Sequence, residues 1–195
     1  MVNALMTTAS NTPTDTPMED DAVAAPGAAS IRSTASIRRP GGAWEWHQAS
    51  VLLHDFAEWI LAAGGIDVMT EQPGFASELD DLAAVYDGGG ADMFVAFDDG
   101  LAVGTVAVRY HVDRTAELKR MYVRRAARGH GVADQLVAHV VAGASARGCR
   151  AVWLETLQGA MDPAIRLYRR HGFVPSARRG TLTNGGVVVM ERQVV

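Results

Sequence analysis

The feature that most constrains the fold is the alternation of β-rich runs and helical periodicity from Ala116 to Gln193. Ala116 to Val123 reads as a strand, and Val132 to Arg147 as a helix with Leu136, Val137, Val140, Val141 and Ala144 on one apolar face and Gly148 as its stop. Ala151 to Glu155 is a second strand. Pro163 to His171 is a second helix, with Pro163 in its first turn and Gly172 as terminator. A short strand near Phe173 and a last one at Val187 to Gln193 complete the series. Upstream, Met93 to Phe97 and Leu101 to Tyr110 flank Asp98-Asp99-Gly100, a hairpin signal because Gly accepts positive φ cheaply. A hairpin followed by β-α-β-α-β specifies an α/β fold, a mixed sheet covered by helices on both faces.

The first half adds smaller pieces. Ile37 to Arg39 reads as a short strand ended by Pro40, Gly41 and Gly42. Trp44 to Ala62 is a helix with Val51, Leu52, Phe56, Trp59 and Ile60 opposite Gln48, His54 and Glu58. Residues 66–73 read as a loop, and Phe75 to Tyr86 as a weaker helix with Leu79, Leu82 and Ala83 inward. Residues 1–31 hold no Lys or Arg, are rich in Ala, Thr, Pro and Ser, and carry Asp15, Glu19, Asp20 and Asp21. Such a stretch cannot bury enough surface to repay its ordering, so a disordered acidic tail is expected, with an acidic binding arm as the alternative. Residues 32–195 are then one domain, the size that a single core supports.

Cys149 stands alone, so no internal disulfide forms, and no run reaches the eighteen apolar residues of a bilayer span. Without a basic leader the expected location is the cytoplasm, away from membranes. The net charge of −4 hides an asymmetry. Residues 32–116 hold 5 basic and 13 acidic groups, and residues 117–195 hold 13 basic and 5 acidic. A basic half suits a phosphorylated ligand or a nucleic acid.

The motif that decides between them is Arg124-Arg125-Ala126-Ala127-Arg128-Gly129-His130-Gly131-Val132-Ala133, set between a strand and a helix. Gly129 and Gly131 leave backbone N–H groups unobstructed, and the free donors and dipole of a helix start can receive a pyrophosphate. Arg124, Arg125 and Arg128 add positive charge. The spacing is neither Gly-x-Gly-x-x-Gly nor Gly-x-x-x-x-Gly-Lys, so a different phosphate-bearing cofactor is indicated. Read without its neighbours, the same turn is simply the cap of a surface helix.

Its neighbours give the chain a resemblance to the GCN5-related N-acetyltransferase (GNAT) superfamily. The signature Gln/Arg-x-x-Gly-x-Gly/Ala reads here as Arg128-Gly-His-Gly131-Val-Ala133, behind a strand Glu117-Leu-Lys-Arg-Met-Tyr-Val123. Leu154-Glu-Thr-Leu and Ala164-Ile-Arg-Leu-Tyr168-Arg-Arg-His-Gly172-Phe173 look like the family's fifth strand and following helix. The resemblance spans about residues 35–195 and implies a mostly antiparallel mixed sheet whose fourth and fifth strands splay to admit a pantetheine arm. It implies acetyl-CoA as acyl donor, with backbone around Met121 and Val123 on the pantetheine amides. Residues 129–133 (Gly129, His130, Gly131, Val132 and Ala133) would hold the pyrophosphate, and Arg124 and Arg128 would flank it. It also implies that Tyr168 protonates or hydrogen-bonds the departing thiolate. The Asn that many relatives carry early in this segment is Met161 here, as in a subset of the family.

Attack on a thioester needs a neutral amine, so a base should stand near the acceptor. Glu117 is the first candidate, expected on one strand face with Lys119, Met121 and Val123. A structural ion pair with Lys119 or Arg120 is its alternative reading. Glu155 is a second carboxylate, either base or substrate anchor. His130 is expected to point away from a site built of amides, Cys149 to be buried, and Trp44, Trp46 and Trp59 to pack or to wall an acceptor pocket. His47, His54, His111, His139 and His171 match no metal-ligand spacing, so no metal is expected. These readings converge on direct acetyl transfer to a small-molecule amine, with no nucleic acid as partner and a homodimer left open. A degenerate acyl-CoA-binding module is the alternative.

Overall fold

The computed structural model describes residues 35–72, 74–178, 180 and 186–194. The tail expected over residues 1–31 lies outside the described residues. The elements run β1 (Ser36–Arg38), α1 (Ala43–Gly64), α2 (Val68–Glu71), α3 (Phe75–Asp80), α4 (Leu82–Tyr86), β2 (Ala91–Asp98), β3 (Leu101–Tyr110), β4 (Thr115–Val123), α5 (Val132–Ala146), β5 (Ala151–Leu157), α6 (Asp162–Arg170), β6 (Val174–Pro175) and β7 (Val187–Gln193). A 3₁₀ turn at Arg125–Ala127 joins β4 to α5.

One sheet of order β1-β2-β3-β4-β5-β7-β6 holds all the strands among the described residues. Every neighbouring pair is antiparallel except β4 and β5, which are parallel because α5 carries the chain back between them. The β2–β3 hairpin closes through Asp99 and Gly100, both at positive φ (47° and 79°), the two-residue turn whose twist matches the strands.

Alternation along the strands sends side chains into a core on each face. Val106, Val108, Leu118, Val152 and Leu154 meet Leu136, Val137 and Val140 of α5. Met93, Val95 and Ala107 meet Leu52, Leu53 and Phe56 of α1 on the other side. At about 1.5–3 kcal/mol for each fully buried Leu, Val or Phe, these two layers carry the hydrophobic drive.

Two expectations change. Residues 66–73 contain α2, whose start is capped by Asp67 accepting from Met69 N at 3.1 Å. The helix expected over Phe75 to Tyr86 is two helices, because Asp81 leaves helical geometry (φ −152°, ψ 82°) and caps α4 by accepting from Ala84 N at 2.9 Å. An Asp competes for its own backbone in this way, which is why it favours caps over helix interiors. Among the described residues no helix is long and apolar enough to cross a membrane.

Candidate functional site

The site begins where β4 and β5 part. Their register runs from Thr115↔Ala151 to Leu118↔Leu154, and both strands then continue unpaired to each other. A cleft of about 1360 Å³ opens there. Along it, the β5-facing backbone groups of β4 beyond Leu118 have no ladder partner among the described residues, and unpaired amides seek a ligand or water.

A bulge in β4 shapes this edge. Between Thr105↔Tyr122 and Ala107↔Lys119 the β4 strand has one extra residue, and Arg120 sits at φ 56°. An L-residue there costs about 1–2 kcal/mol, and the side chain is held from several sides. Arg120 Nε donates to Glu78 Oε2 at 2.9 Å, Nη1 donates to Gln72 Oε1 at 2.5 Å, and the guanidinium lies 4.3 Å from the Phe75 ring centroid. Tyr86 Oη also donates to Glu78 Oε2, at 2.9 Å. Desolvation opposes the Glu78 charge, but the hydrogen bond and charge of Arg120 outweigh it and hold this carboxyl below its usual range. The bulge therefore clamps α2–α4 onto β4.

The extra residue also reverses the side-chain parity. Glu117 and Lys119 do not share a face with Met121 and Val123, as strict alternation predicts. Met121 and Val123 pack with Leu118 on the α5 side, whereas Tyr122 packs with Phe56 and Trp59 of α1.

At the other end of β4 the chain turns into α5 through Gly129 (φ 82°) and Gly131 (φ 77°), conformations that suit glycine. A Cβ on Gly129 would meet nothing within 4 Å, so the backbone is open to a ligand. The first bond of α5 runs from Gln135 N to Gly131 O at 3.0 Å, leaving the Val132, Ala133 and Asp134 amides among the free donors of the helix start. Asp134 would repel an anion here, but its carboxylate is turned to α6. It accepts from Arg170 Nη2 at 3.1 Å and faces His171 Nε2 at 3.0 Å.

Gly129, Gly131, Val132, Ala133 and Arg128 line the cleft, as do Met121 and Val123. Arg128 Nε donates to Val123 O at 3.0 Å, and its guanidinium lies over Trp59 and Tyr122. Arg124, Arg125 and His130 of the sequence motif stand apart from the cleft wall. Arg124 reaches back to Asp55 of α1 (Nε to Oδ2, 3.0 Å), an ion pair that draws its charge away from the turn. The His130 side chain is exposed and outside the cleft wall.

Tyr168, from α6, lines the same cleft while only 5% exposed, with its ring 5.8 Å from that of Phe173. Its hydroxyl makes no hydrogen bond among the described residues. Burial pushes the phenol above its ordinary value, so it is a neutral donor throughout the neutral range. Met161, at the start of α6, accepts from the Thr156 hydroxyl at 3.5 Å through sulfur and lines the cleft too.

Glu117 stands across the cleft, 7% exposed. Lys119 Nζ donates to its Oε1 at 3.3 Å, and His111 Nε2 lies 3.5 Å from its Oε2. The His111 ring is 5.7 Å from Trp153, and Arg178 lies 5.0 Å above that indole. Glu155 lines the cleft as well, its carboxylate packed so closely on Gly180 that no Cβ fits there. His111, Trp153, Glu78 and Arg120 are site residues that motif reading passes over. The hairpin offered a signal for His111, since Arg109↔Glu117 pairing puts residue 111 diagonal to Glu117 on the same face. Cys149 is buried, as expected, and Trp59 forms cleft wall while Trp44 is 65% exposed. Among the described residues no cluster of His, Cys, Asp or Glu is arranged to hold a metal ion.

Comparison with known proteins matches residues 53–173 to the model of the Acetyltransferase (GNAT) family. An uncharacterised N-acetyltransferase of Schizosaccharomyces pombe is 37% identical over 83 residues, which cover 42% of this chain and 50% of that protein. The match thus spans half the length of that curated relative. A GNAT-family acetyltransferase from Staphylococcus aureus Mu50 has the same fold, with a TM-score of 0.68 at 16% identity over 83% of this chain and 100% of that one. The PaiA N-acetyltransferase from Thermoplasma acidophilum, solved in complex with coenzyme A, gives a TM-score of 0.61 at 16% identity over 81% of this chain and 99% of that one.

Proposed function

Because this chain belongs to the acetyltransferase (GNAT) family, we propose that it transfers acetyl from acetyl-CoA to the amine of a small molecule by direct attack. The observation that carries this reading is one continuous cleft shared by the unpaired edge of β4, the Gly129–Gly131 turn, Tyr168 and Glu117. The donor groups fit the cofactor: free amides at the α5 start suit a pyrophosphate, and an unpaired strand edge suits the amides of a pantetheine arm.

Each residue then has a distinct task. The backbone at Met121 and Val123 orients the arm, and amides of residues 129–133 hold the phosphates with Arg128 beside them. Glu117 takes the proton of the incoming ammonium, so that the nitrogen lone pair can form the new C–N bond. Tyr168 donates its hydroxyl hydrogen toward the sulfur as the C–S bond breaks, and the second proton that the nitrogen sheds as the amide forms restores the phenol. The acceptor lies on the α1–α3 side, under Phe56, Trp59, Ile66 and Val68, an apolar roof that excludes water from the reacting atoms. Positioning of the two reactants supplies most of the acceleration.

The decisive experiment incubates the full chain with acetyl-CoA and a panel of amines, reading free CoA with a thiol reagent and acetylated product by mass. Amine-dependent CoA release is expected. Glu117→Gln should lower kcat/KM for the amine by about 10²–10⁴-fold at unchanged CoA affinity. CoA binding with no turnover on any amine would instead favour an acyl-CoA-binding regulatory module.

A further inference from the structure

We infer that His111 is a positioning and relay residue that carries the acceptor's proton from Glu117 to solvent, a reading that rests on the acyl-transfer function above. His111 opens the turn between β3 and β4, where its N donates to Thr115 O at 2.9 Å and its O accepts from Arg114 N at 3.0 Å. The backbone is thus fixed at the strand end beside Glu117. The ring is divided between two environments. Its Nε2 is enclosed and has no hydrogen-bond partner among the described residues, yet the side chain as a whole keeps 34% of its surface exposed.

The enclosed nitrogen faces Glu117 Oε2 at 3.5 Å, while Lys119 occupies Oε1. In the tautomer with the ring proton on Nδ1, Nε2 and the carboxylate oxygen are both acceptors and do not bond. Once the carboxyl holds a proton, a small rotation closes the gap, as catalytic contacts often do only when the reactants are bound. The indole of Trp153 limits the ring from the β5 side.

The protons balance without a further reagent. The ammonium N–H bond breaks as a Glu117 O–H bond forms. That bond breaks as His111 Nε2–H forms, and the opposite ring nitrogen gives up its proton to water. Glu117 is thereby returned to its carboxylate, exchange with water moves the remaining ring proton from Nε2 back to Nδ1 before the next turnover, and the one proton that amide formation from an ammonium releases leaves the cleft.

Three measurements on the full chain test this. With an alkylamine that is protonated at the assay pH, His111→Ala should lose about 10- to 100-fold in kcat. Added imidazole should restore part of it, with acetyl-CoA affinity and thermal midpoint unchanged. With hydroxylamine or semicarbazide, neutral at that pH, His111→Ala and His111→Gln should both stay within a few-fold of wild type. Equal losses on both kinds of acceptor, or a loss that imidazole does not relieve, would overturn the relay and leave His111 a packing residue. Unchanged turnover would overturn it as well. If the wild type released no CoA with any amine, the acyl-transfer reading itself would fall, and the relay with it.

Discussion

Replacing Tyr168 by Phe removes one oxygen and keeps the ring, and the structure predicts opposite signs for its effects on stability and on turnover. The ring stays packed on Phe173 within the α5-side core. The hydroxyl, by contrast, has no partner among the described residues, so deleting it orphans nothing. Burying an unpaired hydroxyl costs about 1–3 kcal/mol in mutational data. Water in the cleft relieves part of that cost, so the variant should be between neutral and about 1 kcal/mol more stable. For a chain of this size, 1 kcal/mol is a rise of about 2–4 °C in Tm. Turnover should move the other way. Loss of an assisted proton transfer is worth about 10²- to 10⁴-fold in kcat. The lower part of that range is expected, because burial raises the phenol and makes it a reluctant acid. The same upward shift means that Tyr168 contributes no limb to the pH–rate profile near neutrality, and the Phe variant should keep the wild-type profile there. Single-turnover transfer at saturating acetyl-CoA, CoA affinity and thermal unfolding measure the three quantities. A lowered Tm with activity lost only in proportion to unfolded protein would refute the argument, as would wild-type kcat in a folded variant.

Two further outcomes follow from the site. Gly131→Asp puts a carboxylate roughly 4 Å from the expected pyrophosphate, a repulsion on the order of 1–4 kcal/mol between the water and protein-surface limits, in a left-handed conformation. CoA affinity by calorimetry should fall at least about tenfold, and unchanged affinity would remove the turn from the cofactor site. Glu78→Gln removes the charge facing Arg120, and losing one partner of a buried pair costs about 3–5 kcal/mol at neutral pH, less here because Gln keeps hydrogen bonds. The Glu78 carboxyl is depressed in the fold, so its contribution is complete above the ordinary carboxylate range and fades as pH falls through the folded value. The Tm difference between wild type and variant should accordingly narrow on acidification; a constant gap would show that the charge is not what stabilises.

The layers of this fold were legible in the chain because each strand and long helix carries its own period. The Val132 to Arg147 stripe and the Asp99-Gly100 turn need no tertiary context to be read. The glycine turn was legible for the same reason: Gly129 and Gly131 state a backbone conformation locally. Asp81 was the harder case. An Asp inside an apolar helical pattern reads as a tolerated polar position, and only its bond to Ala84 N reveals a cap.

The β4 bulge was not legible at all, and it has the largest consequences for the site. Nothing in Glu117-Leu-Lys-Arg-Met-Tyr-Val123 signals an extra residue, since the left-handed position is an arginine where a glycine would have announced it. What stabilises Arg120 there comes from Gln72, Phe75 and Glu78, more than forty positions upstream, so the conformation is a tertiary decision. Its effect is to divide one strand between two duties. Before the bulge, Glu117 faces the α1–α3 side, in company with His111; after it, Met121 and Val123 turn toward α5 and the glycine turn. A strictly alternating strand would set all of these on one face, and the proposed base and proposed cofactor wall would then crowd a single side of the sheet. Under the proposed acetyl transfer, the one-residue insertion would instead let donor and acceptor approach the parted strands from opposite faces, as a direct attack needs.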